Sequence, residues 1–175
     1  SLARPGGNIS GLTRFTRELN GKRLELLKEV IPGLARVGVL WDPRGPGPAI
    51  AFKEYETAAR ALKLRLQSLE VPSATPDFKA AFQAAAKGRG GALVTIGSSI
   101  MNRYDKQITE LAIKNRLPSM FDASDFVEAG GLVSYSSNET DQLKRAAYYV
   151  DRILKGAKPA DLPVEQPMNF EFVIN

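Results

Sequence analysis

An α/β fold, a parallel sheet with flanking helices, is predicted by three observations. Short apolar runs alternate with longer amphipathic stretches along the whole chain. The runs are rich in β-branched residues and are bounded by Gly and Pro, as buried strands are. The alternation repeats several times, and strands that recur with a helix between them run parallel through right-handed crossovers. At 175 residues the chain is about one ordinary domain, enough for a single core.

The elements follow in order. "GKRLELLKE" is a charged, helical stretch. "RVGVLW" (36–41) is continuous and apolar between "IPGLA" and the Pro/Gly cluster "DPRGPGP", which predicts a buried strand. "AIAFKEYETAARALK" (49–63) places Phe52, Tyr55, Ala59 and Leu62 on one helical face. A strand over 64–71, a helix over 77–88 stopped by Gly88, and a buried strand over 91–97 come next. A helix over 103–116 and strands over 117–121 and 131–136 complete the alternation. Residues 138–156 form the strongest helix. Leu143, Ala146, Ala147, Val150, Ile153 and Leu154 make its stripe, acidic residues load its first turn, and Lys155 with Gly156 closes it. A Pro-rich connection then leads to "FEFVIN", a strand that needs a partner to pair with.

Composition narrows the function. The formal charge is +5, but Lys and Arg are interleaved with Glu and Asp and form no long run of one sign, so a solvated basic surface is expected and no nucleic-acid face. There is no cysteine and no histidine, which removes thiol nucleophiles, Cys or His zinc sites, Ser-His-Asp triads and disulfides. Absence of cysteine is compatible with an oxidising compartment. No apolar run approaches the roughly 20 residues of a membrane span, and residues 1–20 lack the apolar core of a signal peptide.

Ligands of an open parallel sheet bind beyond the carboxyl ends of its strands. After the first predicted strand come Trp41 and Asp42, after the third Ser98 and Ser99, after the fourth Asp122 and Ser124, and in the fifth Tyr135. The opening loop "RPGGNISG" adds Asn8 and Ser10. Hydroxyls, amides and carboxylates beside an indole and a phenol suit a small polar molecule. Each has a plainer role: Ser98, Ser99, Ser124 and Ser137 suit helix N-caps, Asp42 a turn before Pro43, and Trp41 the core. Catalysis has no such support. The serines lack a base, there is no Gly-x-Ser-x-Gly elbow, and "GRGGA" enters a strand where a phosphate loop would enter a helix. No enzyme activity, cofactor or metal is expected.

"SLARPGGNISGLT", "GKRLELLKEVIPGLARVGVLWDP", "FVEAGGLVSYS" and "YVDRILKGAKPADLPVEQPMNFEFVIN" together resemble the bacterial ABC-transporter substrate-binding proteins of the group related to tryptophan and tyrosine binders, over nearly the whole chain. The resemblance implies a Rossmann-like, type I periplasmic-binding-protein fold: two α/β lobes joined by three crossings, with solute trapped between them. It further implies that this chain is a fragment, with a lobe before the opening loop and a helix after "FEFVIN". On that map residues 1–13 are the first crossing, 14–127 the distal lobe, 128–136 the second crossing, 137–161 a helix of the proximal lobe, and 162–175 the third crossing with its terminal strand.

The expected function is delivery of a small polar or aromatic solute to an ABC permease, in the periplasm or another extracytoplasmic space. The alternative is a ligand-sensing regulatory domain of the same fold. Amino-acid binders of the family are similar in carrying an Asp-Asn pair where Ser98 and Ser99 stand here, so an aromatic or carboxylate-bearing solute is as well suited as an amino acid. The stripe on 138–156, lacking its lobe, is expected to lie exposed and to drive pairing with a second copy.

Overall fold

The computed structural model describes residues 1–13, 19–88 and 90–175. It divides the chain into two compact units, Ser1–Phe15 with Ser137–Glu171, and Thr16–Ser136 with Phe172–Asn175. The expected start of the distal lobe at residue 14 lies outside the described residues.

The larger unit is built on a sheet with strand order β2-β1-β3-β4-β5-β6. The strands are β1 (Arg36–Trp41), β2 (Arg65–Glu70), β3 (Ala92–Thr95), β4 (Ser119–Phe121), β5 (Val133–Ser137) and β6 (Phe170–Ile174). β1 pairs in parallel with β2 and β3, β3 with β4, and β4 with β5. The amide of Asn175 bonds the carbonyl of Leu132, and that of Asn138 the carbonyl of Asn169. The two bonds run in opposite sense along the chain, so β6 returns antiparallel to β5. The terminal strand thus finds the partner its sequence requires.

Strand alternation sorts the side chains into two cores. Val37, Val39, Trp41, Val94, Met120 and Val133 pack with Leu24, Leu27, Tyr55 and Ala59. These last four come from α1 (Asn20–Val30) and α2 (Pro46–Ala61). On the opposite face Leu40, Leu69, Leu93 and Phe121 meet Phe78, Phe82 and Ala85 of α3 (Phe78–Lys87) and Ile108 and Ala112 of α5 (Asp105–Lys114). The result is a helix–sheet–helix sandwich, the arrangement that covers both faces of a parallel sheet.

Two elements depart from expectation. α2 starts at Pro46, inside the predicted Pro/Gly loop, because a proline in the first helical turn has no intrahelical N–H to lose. The helix predicted over 103–116 is α5, starting at Asp105, and it is preceded by a short helix that was not expected, α4 (Ser99–Arg103), from which it is separated at Tyr104, whose backbone leaves helical geometry at φ −114°, ψ 24°. A further short helix, α6 (Asp125–Glu128), follows β4.

The smaller unit holds α7 (Glu139–Leu154) and the two outer connections. Its cap is Asn138, not Ser137: the Asn138 carboxamide oxygen accepts from the Asp141 amide at 2.7 Å. The connections lie side by side. Leu12 bridges Glu165 in parallel, Thr13 N–H donates to the Glu165 carbonyl (2.8 Å), and Glu165 N–H to the Gly11 carbonyl (3.0 Å). The Tyr149 hydroxyl donates to the Pro163 carbonyl at 2.6 Å, fixing one face of α7 to the connection. On its other face Leu143, Val150 and Leu154 are 65%, 56% and 82% exposed, so the stripe read from the sequence is bare.

Among the described residues no helix is long and apolar enough to cross a membrane. No group of three or more His, Cys, Asp or Glu among them could hold a metal ion.

Candidate functional site

The carboxyl edge of the larger unit's sheet is where loop chemistry collects. Leu40 registers with Thr95, and Phe121 with Ser134. One residue further along β1, β4 and β5 stand Trp41, Asp122 and Tyr135, so these three predicted site residues share one level of the sheet. Ser98, Ser99 and Ser124 follow at the starts of α4 and α6. Asn8 and Ser10 belong to the smaller unit.

Several of these residues have their polar atoms engaged within the chain. The Trp41 ring is buried, stacked on Phe52 at 4.8 Å between centroids, and its indole N–H donates to the Ser68 hydroxyl at 2.8 Å. Asp42 is 7% exposed and accepts from the backbone and side chain of Arg44 at 3.1 and 3.4 Å. Burial pushes its carboxyl up, but the Ser73 hydroxyl and the Arg44 contacts outweigh that and hold it below the usual value. Both residues organise the β1 loop. Ser98 caps α4, accepting from the Met101 amide at 3.4 Å. Ser10 donates to the carbonyls of Leu162 and Pro163, at 2.7 and 3.2 Å, and ties the two connections together.

Ser99 and Asn8 are exposed, and Asp122, Ser124 and Tyr135 half-buried. Ser124 leads α6 without a side-chain cap bond. Asp122 accepts the Thr95 hydroxyl on Oδ1 at 2.9 Å. Its Oδ2 lies so close over Gly97 that a Cβ there would collide with it. Tyr135 meets Phe172 edge-on at 6.4 Å.

Behind this edge is a buried polar cluster that the sequence reading passed over. Arg23, 1% exposed, donates to the Tyr135 carbonyl at 2.8 Å and to the Asn20 side-chain oxygen at 3.0 Å. Tyr55, fully buried, donates its hydroxyl to the Thr95 carbonyl at 3.4 Å. Burial pushes the Tyr55 phenol up to about 12; Arg23 opposes that shift and the charge of Asp122 adds to it. A signal was present: Asn20, Arg23, Leu24 and Leu27 fall at helical spacing on one face, two polar residues in an apolar stripe.

The smaller unit has a groove of about 540 Å³ beside α7, lined by Arg145, Tyr148, Glu165 and Met168 among others. Arg145 and Glu165 form a two-point ion pair there, at 2.6 and 2.5 Å.

The family model for "ABC transporter substrate binding protein" matches residues 1–175. The chain belongs to that family. No curated protein matches it. Among solved structures, a conserved domain protein from Vibrio cholerae superposes with a TM-score of 0.87 at 25% identity, over 100% of this chain and 58% of that one. The ABC domain of a Streptococcus pneumonia protein in complex with L-Trp gives 0.79 at 23%, over 100% and 59%. A periplasmic-binding ribose operon repressor from Lactobacillus acidophilus gives 0.66 at 14%, over 98% and 65%. This member therefore spans well under two thirds of its nearer structural neighbours, a fragment with the fold of the type I periplasmic binding proteins.

Proposed function

We propose that this family member is part of an extracytoplasmic solute-binding protein that delivers a small solute to an ABC importer, without chemistry of its own. The single observation that carries the reading is a family match over the whole chain in which side chains from three strands reach one level of one sheet edge. Ser99, Asp122, Ser124 and Tyr135 are the proposed contacts from the larger unit, with Asn8 from the first crossing; Trp41, Asp42 and Ser98 hold the loops that present them, and Ser10 the crossing. Residues 1–13, 128–136 and 162–175 are the proposed crossings, 14–127 the distal lobe, and 137–161 a piece of the proximal one. Solute touching both lobes favours the closed state because the full set of contacts exists only there.

The L-Trp complex of the Streptococcus neighbour supports a small, partly aromatic solute. A thermal-shift screen over aromatic acids, amino acids, nucleosides and polyols tests the proposal, since a ligand of the folded state raises the melting temperature. Uniform failure across the set, in a longer gene product carrying both lobes, defeats it.

The repressor neighbour favours a second reading, a ligand-sensing regulatory domain. A longer gene product that opens with a secretion signal favours import, and one that opens with a helix-turn-helix favours regulation. Under either reading we also propose that this chain on its own pairs with a second copy through the bare face of α7.

A further inference from the structure

We propose that the amino ends of β1, β2 and β3 carry a second site, at the opposite end of the strands from the carboxyl edge, and that it takes a small phosphate-bearing anion. A groove of about 660 Å³ opens there, lined by Pro32, Leu34, Arg36, Lys63, Arg65 and Gly91 among others. Among the described residues no Asp or Glu lines it.

The strand register sets the cations together. Arg36 opens β1, Arg65 opens β2, and the two are direct neighbours across the parallel pair. Leu40 and Leu69, four residues further along the same strands, both enter the core against α3, so Arg36 and Arg65 leave the sheet on that one face. Like charges placed directly opposite each other are destabilising. Helix ends account for part of the charge, since cations suit the C-terminal carbonyls that finish at this edge. The Arg36 guanidinium donates to the carbonyl of Gly88, which closes α3, and the Lys28 ammonium to that of Leu62, which closes α2, at 2.7 Å. Lys63 and Arg65 are left over. Both are exposed, and neither forms a salt bridge or a side-chain hydrogen bond among the described residues. An anion shared by Arg36, Lys63 and Arg65 removes the repulsion between them. A phosphate monoester suits the set: it brings about two negative charges and three acceptor oxygens, which guanidinium forks and an ammonium can meet together, where a carboxylate brings one charge and two oxygens. Pro32 and Leu34 offer its organic part an apolar wall.

The test is calorimetric titration of this chain with phenyl phosphate, inorganic phosphate and benzoate, at about 0.1 M salt so that only nearby charges act. Both phosphates are expected to bind, and benzoate at least about tenfold more weakly. Lys63→Asn combined with Arg65→Gln should weaken phenyl phosphate at least about tenfold, as the loss of charge-assisted bonds does. Neither change removes a bonded group, and asparagine tolerates the φ of 57° at position 63. Taking the same charge from elsewhere, with Lys53→Gln and Lys79→Gln on the exposed faces of α2 and α3, should leave the affinity unchanged. Benzoate binding as tightly as phenyl phosphate, equal effects of the two double variants, or no heat from either phosphate at millimolar concentration overturns the proposal. So does sedimentation with phosphatidylglycerol vesicles by a chain that ignores both soluble phosphates, which assigns the basic groove to a membrane surface. Each outcome leaves the solute-binding reading of the carboxyl edge standing.

Discussion

Arg145 grips Glu165 with two parallel hydrogen bonds, Nε to Oε2 at 2.6 Å and Nη2 to Oε1 at 2.5 Å, across 20 residues of sequence. The backbone of Glu165 simultaneously bonds both Gly11 and Thr13. One residue thus joins α7 to two connections. Arg145 also lies over the Tyr148 ring at 4.3 Å, which keeps its guanidinium plane in place.

Glu165→Gln and Arg145→Lys should each lower the melting temperature by a few degrees at neutral pH, since lysine keeps the charge but not the fork. The pH dependence has a definite sign. The Arg145 hydrogen bonds hold the Glu165 carboxyl below its ordinary 4.5. That stabilisation is therefore complete above the ordinary value and disappears as pH falls through the lowered one. Melting curves of wild type and Glu165→Gln should converge in acid; a gap that stays constant down to low pH would refute the role of this carboxylate.

Tyr55 gives the opposite dependence. Its folded-state phenol, raised from 10.0 to about 12 by burial, stays protonated where an unfolded one ionises. The associated stability, about 3 kcal/mol for a shift of this size, is present below pH 10 and is lost as pH rises towards 12. Tyr55→Phe should cost about 1 kcal/mol at neutral pH through the missing hydrogen bond and should remove much of the alkaline loss. Urea unfolding of both proteins across that alkaline range reads the difference directly.

Gly131 has no room for a side chain. A Cβ would come within 2.6 Å of both Phe121 Cε2 and the Phe126 carbonyl oxygen, in the stacked pair of rings that closes the β4 end of the core. Gly131→Ala should destabilise by about 1–3 kcal/mol, the usual cost of overfilling a packed site. Denaturant unfolding with an unchanged m-value and an unaltered midpoint would contradict the packing described.

The bare face of α7 should control association. Light scattering of this chain is expected to show a dimer, and Val150→Glu with Leu154→Glu a monomer, because charges at positions 56% and 82% exposed cost little in a lone molecule but much in an apolar interface. A wild-type chain that is monomeric at high concentration would remove the pairing.

Much of the fold was legible because periodicity reports burial. Continuous "RVGVLW" marked a strand covered on both sides, and the 3.6-residue stripe of 138–156 marked a helix with one apolar face. Boundaries were less so. Pro46 reads as a breaker until its place in the first turn is known, and the break at Tyr104 has no side-chain signature.

By itself the sequence determined the α/β alternation, the absence of Cys and His chemistry, and the set of polar residues that follow the strands, since each depends on local residue identity. The tertiary structure decided which partners within the chain those residues meet. Asp42 and Asp122 are the same residue type, each just after a strand, yet Arg44 and Ser73 hold one while the Thr95 hydroxyl meets the other. Thr95 on Asp122, the Tyr135 carbonyl on Arg23 and Arg145 on Glu165 come from distant stretches of chain, and hydrogen bonds of that range exist only once the sheet register and the pairing of the connections are fixed.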